Sequence, residues 1–121
     1  MISGHVENRH ALLPVVFLTA QNARVTIEFV VDTGFTDALC LPEQAVQPLQ
    51  LPYQFDFPAT LADGSEVLLP VHEARIHWQG ETRRVHILAT GTRPLIGTAL
   101  LDGCTLTVQF IEGGTVTVEP L

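Results

Sequence analysis

Between Arg24 and Val31, polar Arg24, Thr26 and Glu28 interleave with apolar Val25, Ile27, Phe29 and Val31. Successive side chains on a strand point to opposite faces, so this period of two predicts a half-buried β-strand. Val15–Thr19 precedes it across a short polar turn at Gln21-Asn22, and the two runs predict a hairpin. A second hairpin is signalled by Asp63-Gly64, because glycine reaches positive φ cheaply in a tight turn. Its arms are placed at Pro58–Ala62 and Glu66–Pro70. Glu73–Gln79 and Thr82–Leu88 form a third pair, turning at Gly80. Thr105–Ile111 and Thr115–Glu119 form a fourth, turning at Gly113-Gly114, with Leu106, Val108 and Phe110 on one face.

Helical signals are few. Glu43–Val46 follows Pro42, and Thr98–Leu101 follows Gly97, with Thr98 as the expected N-cap and Gly103 as a stop. With no linker, repeat or low-complexity tract, the chain reads as one all-β domain spanning residues 1–121, barrel-like in architecture.

Composition narrows this picture. A chain of 121 residues, 46% hydrophobic and 16% charged, can bury a core but is too short for two ordinary domains. The net charge of -7 argues against a nucleic-acid partner, since phosphate binding needs a concentrated basic surface. Cys40 and Cys104 lie far apart, without C-x-x-C spacing, and are expected as buried thiols. Ala11–Ala20 follows Arg9 and has the length of a signal h-region, but it is too short to span a bilayer. It is read as a first β-strand, because its loss would strip Arg24–Val31 of a hairpin partner. The expectation is a cytoplasmic protein with no membrane partner.

The candidate chemistry begins at Asp32-Thr33-Gly34, delivered by Phe29-Val30-Val31 directly at the end of a strand and followed by Phe35-Thr36 and an apolar run, Ala38–Leu41. A carboxylate so placed can be held rigidly with its oxygens towards a cleft. Gly34 can turn the backbone tightly and aim its N–H at that carboxylate. The plainer reading is a loop in which Asp32 caps its own backbone.

The segment FVVDTGFTDALCLP resembles the active-site segment of single-domain aspartic peptidases of the retropepsin-like clan, in particular their small bacterial members. The resemblance continues through Leu61-Ala62-Asp63-Gly64-Ser65, which is similar to the flap hairpin. Pro94-Leu95-Ile96-Gly97 is similar to the second apolar-apolar-glycine element, and the order holds from Val15 to Leu121. It implies a closed retropepsin-like acid-protease barrel with one short C-terminal helix, one lobe per chain. Asp32, Thr33 and Gly34 would be catalytic, while Phe35, Ala62, Asp63, Gly64, Ser65, Leu95 and Ile96 would contact substrate. It implies no metal and no cofactor.

Such peptidases work with two carboxylates sharing a proton. The chain has one D-T-G and no second D-[ST]-G, since Asp63-Gly64 and Asp102-Gly103 lack the middle hydroxyl residue. The resemblance therefore implies a C2 homodimer with Asp32 facing Asp32, hydrolysing an extended peptide bound between the subunits. The alternative is a catalytically weak or silent peptide-binding or dimerisation module that keeps the same fold.

Some positions depart from the clan. Viral members often carry an acidic residue two positions after the D-T-G glycine, paired with an arginine after the second glycine; here those positions are Thr36 and Thr98. Dimer contacts are then expected from the terminal strand Val116–Glu119. Phe35 is bulkier than the usual small residue and either narrows the groove or packs in the core. Asp37 is expected as a solvated loop carboxylate. Trp78 is expected as sheet packing, and His72, His77 and His86 as strand residues that converge on no metal. His5 and His10 are expected in a frayed N-terminal segment.

Overall fold

A computed structural model describes residues 1–121, and its strands form one ten-stranded sheet. In chain order the elements are β1 (Ile2–Glu7), β2 (His10–Leu18), β3 (Arg24–Val31), β4 (Leu39–Leu41), α1 (Glu43–Leu49) and β5 (Tyr53–Thr60). They continue with β6 (Glu66–Trp78), β7 (Glu81–Ala89), β8 (Leu95–Ile96), α2 (Thr98–Leu101), β9 (Cys104–Val108) and β10 (Thr115–Pro120). The sheet order is β5-β6-β7-β4-β8-β3-β2-β1-β10-β9, and β2 also pairs with β6. That extra ladder, Val16↔His77 to Leu18↔Arg75, closes a ring from β6 through β7, β4, β8, β3 and β2.

Alternation along the strands fills the ring. Leu13, Val15 and Phe17 of β2 face inward with Phe29 of β3, and the Phe17 and Phe29 ring centroids lie 5.9 Å apart. Ala74, Ile76 and Trp78 line the wall from β6, and Val85, Ile87 and Ala89 from β7. Trp78 is 1% exposed, so sheet packing is its role; its indole N–H has no partner. No helix is long and apolar enough to cross a membrane.

Several boundaries differ from the sequence reading. His5 is not in a frayed segment: β1 is laddered on both sides, to β2 and to β10. Ala11–Ala20 is accordingly the second strand, not the first. Glu66–Pro70 and Glu73–Gln79 merge into one 13-residue strand, because Pro70 acts as no breaker and Val71 continues the ladders to β5 and β7. Both expected helical segments form, α2 with the expected bounds and α1 running on to Leu49 in place of Val46. Gly97, not Thr98, is the N-cap of α2, and no side chain caps it. Cys40 is buried but Cys104 is only half-buried, since β9 is an edge strand. β9 also stops at Val108, and Phe110 leaves the face of Leu106 and Val108 to stand 70% exposed.

β10 lies between β1 and β9, with Val116↔Gly4 and Val116↔Val108 pairing on its two edges. Both edges are occupied from Val116 to Val118, while Glu119 pairs with Thr105 of β9 alone, so a free edge remains only at the end of the strand.

Candidate active site

Asp32 leaves the end of β3 into a loop that returns as β4, and β8 runs between the two. Val30 and Val31 pair in parallel with Leu95 and Ile96, while Leu39 and Cys40 pair antiparallel with the same two residues. The loop therefore straddles β8 and is fixed from both sides. The Asp32 N–H donates to the Ile96 carbonyl at 2.9 Å, and the Gly97 N–H donates to the Ala38 carbonyl at 2.9 Å.

Within the loop the Gly34 N–H donates to Asp32 Oδ1 at 2.9 Å, and the Phe35 N–H donates to the Asp32 carbonyl at 3.1 Å. One carboxylate oxygen is thus oriented by its own backbone turn. Asp32 is half-buried, and Thr33 and Gly34 are exposed beside it.

The loop's far side rests on α2. The Phe35 carbonyl accepts from the Thr98 N–H at 2.8 Å and from Thr98 Oγ1 at 3.4 Å. A threonine hydroxyl and a backbone bond thus tie the loop to α2. Sequence reasoning took Thr98 only as a cap and as a lost arginine; Gly97-Thr98 after an apolar pair was the available signal.

Gly97 makes the approach possible. A Cβ there would lie 2.0 Å from the Asp37 carbonyl oxygen and 2.6 Å from Phe35 Cδ2. Phe35 is half-buried with its ring against this glycine, which is neither free groove wall nor full core. Ile96 is 0% exposed and is a core residue; its contribution to the site is its carbonyl. Leu95 is half-buried.

Ala62, Asp63, Gly64 and Ser65 form the β5–β6 turn, all exposed. Leu61 N–H donates to the Ser65 carbonyl at 2.8 Å, Gly64 N–H to the Leu61 carbonyl at 2.9 Å, and Gly64 takes φ of +85°. Asp63 Oδ1 accepts from the Ser65 hydroxyl at 2.5 Å and from the Ser65 N–H at 2.9 Å. In this single chain the turn's bonds are internal, and Asp32's are to its own loop and β8.

The two Ser65 bonds, the hydroxyl first, hold the Asp63 carboxyl below its ordinary value of 3.8. A depressed carboxylate supports the folded turn fully above 3.8, and that support is lost as pH falls through the lower folded value. In a carboxyl NMR titration Asp63 is expected to titrate below 3.8, and Ser65→Ala to move it upward. An unmoved titration would show that Ser65 does not order the turn.

Asp37 is exposed and lines a hollow of about 360 Å³ together with Phe55, Phe57, Leu88, Arg83 and Arg84. His72 Nδ1 lies 3.0 Å from the Leu51 carbonyl, and no group of three or more His, Cys, Asp or Glu side chains is placed to hold a metal ion.

No protein-family model and no curated protein matches the chain. Among solved structures, a retropepsin-like aspartic protease from Rickettsia conorii superimposes with a TM-score of 0.55 at 16% identity, covering 98% of this chain and 94% of that one. Simian foamy virus (mac) protease matches with a TM-score of 0.49 at 18% identity, covering 73% of this chain and 90% of that one. The Rickettsia likeness, across nearly the whole of both chains, gives the fold as retropepsin-like.

Proposed function

We propose that, on this retropepsin-like fold, two copies of the chain form an aspartic endopeptidase with Asp32 of each copy facing the other. The observation that carries this reading is a carboxylate at a strand end, oriented by the Gly34 N–H at 2.9 Å, in a loop pinned to β8 and α2. One chain supplies one such carboxylate, and acid-base catalysis of amide hydrolysis by this chemistry takes two.

In the dimer the carboxylates share one proton, because two like charges that close do not both ionise. The ionised one takes a proton from water as its oxygen attacks the peptide carbonyl. The protonated one gives its proton to the carbonyl oxygen, and the resulting tetrahedral species collapses as the amide nitrogen is protonated. No covalent enzyme intermediate and no cofactor enter. The β5–β6 turn closes as a flap over an extended peptide, with Phe35 and Leu95 beside the dyad and Ala62–Ser65 above it.

A pepstatin-type transition-state analogue tests the assembled site, since it binds where the geometry of the tetrahedral species is already formed. Calorimetry is expected to give one inhibitor per two chains. One inhibitor per chain would remove the shared site, and no binding at any acidic pH would favour the silent module that keeps the fold.

A further inference from the structure

We propose that the β9–β10 turn, with Phe110 and Ile111 at its tip, is the anchor through which a second copy of this chain docks to bring the two Asp32 residues together. The inference rests on the dimeric reading above and names the surface that assembles it.

The ladders place the tip at the right end of the molecule. Asp32 leaves the end of β3, where β2 begins, as Leu12↔Val30 shows. β1 ends there through Glu7↔His10, and β10 begins there through His5↔Thr115. The β1–β2 and β9–β10 turns therefore lie at the same end as the Asp32 loop, both on one side of it, and β10 stands three strand spacings, about 14 Å along the sheet, from β3.

β10 is laddered to β1 from Thr115 to Val118 and to β9 from Val116 to Pro120, so its start, at the Asp32 end, offers no free edge, and contact there runs through the side chains of the turn.

At that end the tip is the large apolar feature. Phe110 is 70% and Ile111 69% exposed. The turn is held firmly: Ile111 N–H donates to the Gln109 carbonyl at 2.8 Å, Gly114 N–H to the Ile111 carbonyl at 2.8 Å and Gly113 N–H to the Val6 carbonyl at 2.9 Å. The Glu112 carboxylate accepts from the Asn8 N–H at 3.1 and 3.2 Å. A pre-ordered anchor loses little freedom on docking.

The surface also fits its own copy. Beside the tip is a hollow of about 450 Å³ lined by Val6, Asn8, Arg9, Phe110, Ile111 and Glu112, with room for a partner side chain. Its rim carries one positive and one negative residue, Arg9 and Glu112. A two-fold contact can set each against its opposite in the partner, as an isologous interface requires.

Sedimentation equilibrium on the whole chain tests this, comparing wild type with Phe110→Ser/Ile111→Ser. The double variant is expected to dimerise at least about tenfold more weakly, the loss typical of removing an interface anchor. Its peptidase activity per chain should fall at low concentration and recover at high concentration. Equal dimerisation would overturn the surface and leave the peptidase reading intact. A wild type that stays monomeric at every concentration would overturn the dimeric reading, and this inference with it. Unchanged dimerisation with loss of binding to phosphatidylcholine vesicles would assign the tip to a lipid surface and overturn its role here. Should circular dichroism show the double variant unfolded, Ile111→Lys at this exposed position gives the same readout.

Discussion

Asp32→Asn is expected to remove peptidase activity by about 10³-fold or more while leaving the fold and the dimer in place. Asparagine keeps an oxygen where Oδ1 accepts the Gly34 N–H at 2.9 Å, so the loop retains its orienting bond. What it loses is the ability to hold the shared proton and to take one from water. Circular dichroism and sedimentation should match wild type, and hydrolysis of a denatured protein from pH 3 to 7 should vanish. Mixing sharpens the result. With a ninefold excess of Asp32→Asn, nearly every wild-type chain sits in a mixed dimer, and activity per wild-type chain should drop to about a tenth by mass action. A single-chain catalyst would be untouched by the excess. Retained activity in the pure variant would end the catalytic claim, and unchanged activity in the mixture would end the claim of a shared site.

How much of this was legible beforehand depended on the range of the interaction. The Arg24–Val31 strand, the Gln21-Asn22 turn and the Asp63-Gly64 turn are local, and the structure has each of them. Period-two alternation and turn chemistry act between near neighbours, so they can be read directly. Asp32 at a strand end was visible for the same reason. The ring closure was not, because the Val16↔His77 pairing joins residues far apart in the chain and leaves no local mark. β1 alternates strictly in burial, but Gly4 interrupts its apolar face and only Val6 is fully buried, so the sequence signal is faint and the strand's order comes from β2 and β10. The same non-local pairing hid the strands that flank β10, since its ladders to Gly4 and Val108 leave no local mark. The period of Phe110 fits a strand, yet the chain turns just after Gln109, whose carbonyl accepts from the Ile111 N–H at 2.8 Å. Ile96 was drawn to the groove by its motif, and burial assigned it to the core.

Gly97→Ala is expected to be the most damaging methyl group that can be added near the site. The backbone at Gly97, with φ of -101° and ψ of 177°, is open to any residue, so the constraint is space and not conformation. The new Cβ would meet the Asp37 carbonyl oxygen at 2.0 Å and the Phe35 carbonyl oxygen at 2.6 Å. The Phe35 ring can rotate away, but those carbonyls belong to the loop that begins at Asp32. They are held by Thr98 N–H on Phe35 at 2.8 Å and, one residue beyond Asp37, by Gly97 N–H on Ala38 at 2.9 Å. Relief therefore requires the loop to leave β8 and α2, taking the carboxylate with it. Overpacking of this kind costs on the order of 3 kcal/mol, and the melting temperature should fall by roughly 10 °C. Inhibitor binding should be lost even in the fraction that remains folded. Gly103→Ala is the control, because Gly103 has φ of +79° but no neighbouring atom within 4 Å of a new Cβ. Its left-handed backbone predicts a loss of about 1 kcal/mol with activity retained. If the two variants prove equally stable and equally active, the loop is not wedged against Gly97. The account of how Asp32 is held would then have to be replaced.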